Sequence, residues 1–234
     1  MTDTKKPGED LAEDILGFGR QEVVTARDLL VKPSQVLAAW MEQGAEGGGR
    51  YARPLRLYLA LNAILMLLLF LRGGAGFMLD GIPDDVMGKL LERTGKSRDG
   101  FVADAEGWMT LVMVPVLSIF YSVAVTPLLR WWDKADLGWR RGFRASFAWL
   151  NAWTVPMLPL AWWSYGNGTL QVWMGLAITL LGMVAFLRMG RGRWYQSNAG
   201  GIGKAIVLMI VLGIAAQIGG LLVGAIGLLG GVYS

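Results

Sequence analysis

The sequence predicts an all-α fold: a polytopic membrane protein with five transmembrane helices, its N-terminus cytoplasmic and its C-terminus outside. Three observations carry that expectation. Hydrophobic residues make up 54% of the 234 and the mean hydropathy is +0.43, richer in apolar side chains than a soluble domain. Asp, Glu, Lys and Arg are missing from 145–187 and again from 205–234, which a water-soluble fold would not do. Lys and Arg, in turn, crowd onto alternate connections between the apolar runs.

Taken in chain order, residues 1–19, "MTDTKKPGEDLAEDILGFG", are charged and glycine-containing and read as a mobile tail. Residues 20–53 hold two short amphipathic helices and a glycine hinge. "RQEVVTARDLLVK" places Val23, Ala26 and Leu30 on one face with Val24 and Val31 beside them, and "PSQVLAAWMEQ" pairs Val36 with Trp40 and Leu37 with Met41. The two split at Lys32–Pro33, because the residue before proline disfavours the α region. They would lie along the inner leaflet or pack under the bundle. "GAEGGG" is the hinge.

Residues 54–234 form the transmembrane domain. A window of roughly 20 residues, enough to cross a hydrocarbon core, gives spans at about 54–71, 109–129, 145–163, 169–187 and 205–230. No cleavable leader pattern precedes the first, so it reads as a permanent anchor. Pro54 suits its first turn and Arg56 snorkels back to the headgroups. Pro115 and Pro127 in the second span and Pro156 and Pro159 in the third predict kinks. Between the first two spans, the loop 73–107 contains "PDDVMGKLLERTG", a capped amphipathic helix that is either a lid or a connector. Trp108, Trp131, Trp132, Trp162, Trp163, Tyr165, Trp194 and Tyr195 fall at span edges and read as interfacial belts, whereas Trp149 and Trp153 stack at i, i+4 inside the third span.

Orientation follows from the basic residues. Seventeen of the 22 lie before or at the start of the first span, at 130–144, or at 188–204. The other five, Arg72, Lys89, Arg93, Lys96 and Arg98, are diluted by seven acids between Asp80 and Glu106. Cytoplasmic loops hold the basic excess, so the N-terminus is inside, with Arg50, Arg53 and Arg56 as the inner lock on the first helix. The localisation expected is the bacterial cytoplasmic (inner) membrane.

Function is less legible. The polar residues of the spans, Asn62, Ser118, Ser122, Thr126, Asn151, Thr154, Gln171, Thr179 and Gln217, include no ionisable group, so no proton relay or buried coupling-ion carboxylate is in view. The chain has no Cys and no His, which removes thiol nucleophiles, imidazole bases and their metal sites. Asp133 and Asp136, in "WWDKADLGWRR", read as local ion-pair partners. No catalytic, cofactor-binding or metal-binding residue is therefore expected, and the pI of about 9.5 needs no nucleic acid.

Two patterns stand out. Gly213, Gln217, Gly220, Gly224, Gly227 and Gly231 follow a spacing that keeps them on one stripe of the last span, a small-residue face for close helix packing within the chain or in a homo-oligomer. On the inner side, "RYARPLRLY", "WRRGFR" and "RMGRGRWYQS" supply Arg53, Arg56, Tyr58, Arg140, Arg141, Arg144, Arg191, Arg193 and Tyr195 as a face for anionic lipid or a membrane-protein partner. The bland alternative is an orientation signal alone.

"RDLLVKPSQVLAAW", "RYARPLRLYLALNAIL", "VPVLSIFYSVAVTPLLRWW", "FRASFAWLNAW" and "VAFLRMGRGRWYQS" together resemble a bacterial membrane family known only as a domain of unknown function. The resemblance covers roughly residues 27–210, with Arg53, Pro54, Arg56, Tyr58, Arg193 and Tyr195 at the matching positions. Many members carry an N-terminal zinc ribbon and histidines that this chain lacks, and the family lends no activity. The five-span layout is also similar to that of the Yip family of membrane-trafficking proteins. The expectation is a non-catalytic scaffold or partner-binding subunit. The alternative is a small oligomeric transporter or channel with a path near the proline-bearing second and third spans, which a polar cavity lined by Ser122, Asn151 and Thr154 would favour and a filled bundle would not.

Overall fold

The computed structural model describes residues 19–135, 138–165 and 169–234; the expected mobile tail, apart from Gly19, and Asp136 lie outside them. Within the described residues the fold is all-α: α1 (Arg20–Val31), α2 (Pro33–Glu42), α3 (Pro54–Leu71), α4 (Asp84–Thr94), α5 (Arg98–Trp132), α6 (Trp139–Ser164), α7 (Thr169–Gly190) and α8 (Asn198–Tyr233), with a 3₁₀ turn at Gly76–Met78.

Four of these, α3, α5, α7 and α8, are long and apolar enough to cross a membrane. Helix α6, which contains the expected third span, is long but less apolar, because Ser146, Asn151, Thr154, two stacked indoles and two prolines interrupt it. Its position explains how such a sequence is accommodated. It packs against α3, α5 and α7 along its length and against α1 and α2 near its start, and its residues from Ala148 to Thr154 are all buried. The Trp149 indole donates to the Gly182 carbonyl at 3.2 Å and Trp153 to that of Ile178 at 2.7 Å, so these rings fasten α6 to α7 through the polar edge of an otherwise apolar side chain.

Helices α5 and α8 outrun their expected spans. Ser97 and Ser197 cap them by accepting from the amides of Gly100 and Gly200, which satisfies free N–H groups of the first turn. At about 1.5 Å per residue, their 35 and 36 residues reach over 50 Å, beyond a hydrocarbon core of about 30 Å. They run antiparallel as the most extensive helix pair: Gly231 faces Phe101, Gly227 faces Met109, and Gly219 faces Leu117 and Phe120. Their extensions, with Ala75, Leu79 and Met87, enclose a small second core. Much of the expected loop 73–107 is thus helical, and α4 is docked on this second core by Met87.

All four prolines sit inside continuous helices. At the end of α3 the Arg72 side chain donates to the Trp162 carbonyl in the last turn of α6 at 3.1 Å, with its guanidinium over the Trp162 ring. Trp131, Trp162, Trp163 and Trp108 are exposed, as a belt requires, but Trp194 and Tyr195 are buried and stacked on Phe186. Their place in the sequence beside a span edge concealed a role in the core.

Candidate functional site

Two places bring polar chemistry together: a cap at one end of the bundle and a pair of cavities within it. The cap is built by α1, α2 and the segment leading into α3. Sequence periodicity puts Val23, Ala26 and Leu30 on one apolar face of α1, turned to the leaflet or to the bundle; the face that packs on the bundle is Glu22, Thr25, Asp28 and Leu29, while Val23, Leu30 and Val31 are 57%, 43% and 67% exposed. The reason is that the polar face finds partners inside. Glu22 pairs with Arg56 at 2.9 Å and accepts from the Gly19 amide. Thr25 accepts from the Ala52 amide at 2.9 Å.

Asp28 is the hub. Its carboxylate accepts from Arg27 at 2.8 Å, Arg50 at 3.3 Å and the Tyr51 hydroxyl at 3.2 Å, with Lys32 at 3.4 Å. Burial pushes its pKa up, but the hydrogen bonds from Arg27, Lys32 and Tyr51 outweigh burial and hold it below the ordinary value. For Tyr51 the shift is upward, from burial first and the Asp28 carboxylate second. Further ties fasten this cap: Trp40 donates to the Ala52 carbonyl, Arg144 to that of Trp40 at 2.9 Å, and Arg188 to that of Val31 at 3.0 Å.

The nine residues expected to form a lipid or partner face therefore divide. Arg53 pairs with Glu46, Arg56 with Glu22, and Arg193 with the buried carboxylate of Asp133, sixty residues away. Tyr58 is buried against Phe147, at 5.3 Å between ring centroids. Tyr195 donates to the Leu187 carbonyl. Arg140, Arg141 and Arg191 are exposed at the cap end. The aromatic company of the α7–α8 turn is structural: Gly190 admits the Trp194 ring, which would lie 2.4 Å from a Cβ there. The sequence reading missed the counter-ions Glu22 and Asp28, for which acids set between basic residues in otherwise apolar surroundings were the available signal; Asp133 is an ion-pair partner as expected, but of the distant Arg193 rather than of a local residue.

The glycine stripe divides too. Gly227 and Gly231 meet α5, where Gly219 joins them, but a Cβ at Gly213, Gly220 or Gly224 would meet nothing, and Gln217 is exposed. A period nearer four than 3.5 carries the α5 contact through Gly219, Val223, Gly227 and Gly231, so the expected stripe is oblique to the seam.

Within the bundle, a cavity of about 390 Å³ lies between α3, α5 and α6, and a second of about 210 Å³ also reaches α7. They share Tyr58, Asn62, Val114 and Ser118. Ser122 lines the larger and Thr154 the smaller, whereas Asn151 lines neither and donates to the Pro54 carbonyl at 2.8 Å. No Asp, Glu, Lys or Arg lines either cavity. Compared with protein-family models, curated proteins and solved structures, the chain matches none.

Proposed function

We propose that this chain is a non-catalytic, five-span protein of the bacterial inner membrane, N-terminus inside, that works as a scaffold or partner-binding subunit and contacts anionic lipid through its cap end. One juxtaposition carries the reading. Exposed Arg140, Arg141 and Arg191 occur at the same end as the exposed apolar stripe of α1. A basic rim beside an apolar stripe is what an element lying in an anionic leaflet presents. The family resemblance and the Yip-like layout belong to this reading and add no activity to it.

A second reading, a small oligomeric transporter or channel, draws on the two cavities near the proline-bearing helices. Against it stands the packing between those cavities and the cap, where Leu57, Leu61, Val125, Leu129, Ala148 and Leu150 are buried together. A path would have to part that core.

The test compares melting of the whole protein in nanodiscs of phosphatidylglycerol with melting in nanodiscs of phosphatidylcholine. Wild type is expected to be more stable in the anionic lipid, by an increment that shrinks as salt is raised. Replacing Arg140, Arg141 and Arg191 together by glutamine should remove most of it, at about 1 kcal/mol per basic group near the surface. An equal increment in the triple variant would reduce these residues to orientation signals.

A further inference from the structure

Asn62 stands at the shared wall of the two bundle cavities, and its side-chain Nδ2 is buried without a hydrogen-bond partner among the described residues. The Tyr58 hydroxyl lies within reach of both Asn62 and Ser118, but not at a distance and angle that give the Asn62 amide a full hydrogen bond. A buried donor left unmade costs about 1–3 kcal/mol, and such a group in a cavity wall is suited to an acceptor brought by a ligand.

What kind of ligand follows from depth, charge and shape. Asn62 is midway along α3 (Pro54–Leu71), about 12 Å from either end at 1.5 Å per residue, so its amide lies deep in the hydrocarbon layer. Phospholipid ester carbonyls stay near the headgroups and do not reach that depth. Charged ligands are disfavoured, because neither cavity has a charged side chain to pair with them. The larger cavity is walled by Leu55, Leu59, Met66 and Ile119, of which Leu55, Leu59 and Ile119 are exposed on the flank of the bundle. The smaller brings Tyr58, Tyr121, Trp153 and Tyr165 to one space, aromatic surfaces against which a flat ring packs well.

We propose that these cavities form a binding site for a neutral, lipid-soluble carbonyl compound of quinone type. The ring carbonyl accepts a hydrogen bond from Asn62 Nδ2, the ring lies against the aromatic wall, and the apolar tail leaves between α3 and α5 into the bilayer. The site is reached sideways from lipid and is independent of the basic cap.

The probe is decylubiquinone, titrated into the full-length protein in phosphatidylcholine nanodiscs and followed by thermal stabilisation and by infrared spectroscopy of the quinone carbonyl. Saturable stabilisation at one equivalent is expected, with the bound carbonyl stretch moved to lower frequency by its new hydrogen bond. Asn62→Leu should weaken binding about tenfold while melting no lower than wild type without ligand. An alkane of equal tail length should not compete. The proposal is overturned by the absence of saturable binding to wild type, by an unshifted carbonyl stretch, by equal affinity in a folded Asn62→Leu protein, or by an alkane that competes as well as the quinone. The infrared measurement on wild type decides the matter even if the leucine variant fails to fold.

Discussion

Asp28 gathers on one carboxylate several of the bonds that hold α1 in place, and its energetics bear on how the cap responds to pH. Its folded pKa is depressed, so the unfolded chain binds more protons in the interval between the two values. The stabilisation is present in full above the unfolded value of about 3.9 and is lost as pH falls through the lower, folded value. Tyr51 works in the opposite direction: its raised pKa contributes stability below about 10 that disappears as pH rises through the folded value. Hydrogen exchange of the α1 amides should therefore be slow across neutral pH and, once corrected for intrinsic rates, accelerate at both extremes. Asp28→Asn removes the charge but keeps the shape. Because Arg27 and Arg50 are mostly exposed, the loss is expected at about 1–2 kcal/mol, below that of a fully buried pair, and confined to α1 and α2. Unchanged exchange in Asp28→Asn would mean that apolar packing at Leu29, Val36 and Trp40 holds the cap. Only part of this hub was legible locally: Arg27 and Lys32 neighbour Asp28 in sequence, but Arg50 and Tyr51 lie more than 20 residues from it.

At the scale of elements, apolarity located helices better than it located their ends. The first predicted span coincides with α3, because Pro54 and Arg72 bracket an uninterrupted apolar run. Helix α5 begins at Arg98 rather than near 109, since the stretch from Arg98 to Trp108 is polar on most faces and a hydropathy window passes over it. A subtler signal was present there: Phe101, Ala105 and Met109 recur every four residues and are all buried against α8. That seam separates two glycines the sequence had grouped. At Gly227 a Cβ would stand 2.1 Å from Met109 Cγ and 3.1 Å from the Ala105 carbonyl oxygen, whereas at Gly224 it would meet nothing. Gly227→Leu should cost about 1–3 kcal/mol by overpacking, seen as a lower melting temperature in detergent. Gly224→Leu should leave the monomer's melting unchanged, because a leucine facing lipid is as well solvated as one facing protein. If Gly224→Leu instead shifts mass from dimer to monomer, that part of the stripe joins protomers.

For the whole molecule, connectivity bears on the number of crossings in a way that hydropathy alone does not. Helix α5 ends beside the start of α6, where Arg130 lies over the Trp139 ring, and α7 ends at the cap, where Arg188 reaches the Val31 carbonyl. Helices α6 and α7 run antiparallel, since Trp149 meets Gly182 and Trp153 meets Ile178. If α5 and α7 both cross the bilayer, the chain between them must return to the far side, and α6 is the only described element available to take it there. That supports a fifth crossing by a helix whose polar residues are screened by its neighbours. On the proposed five-span arrangement the termini lie on opposite sides, and the basic excess at the cap would put that end in the cytoplasm. A reporter active only outside the cytoplasm should then work when fused after Ser234 or within 95–105, and be silent at 136 or 198. Activity at 136 would break the five-span arrangement. Neutralising Arg50, Arg53 and Arg56 together is the sharper perturbation, because two effects coincide: the lock on α3 weakens, and Asp28, Glu46 and Glu22 lose cationic partners. Replacing Glu22 and Asp28 by glutamine and asparagine separates them, since acids contribute little to orientation. Mixed reporter orientation is expected only from the arginine variant, and exposure of α1 to protease from both. Mixed orientation from the acid variant would show that docking of the cap, rather than positive charge, determines which way the first helix enters.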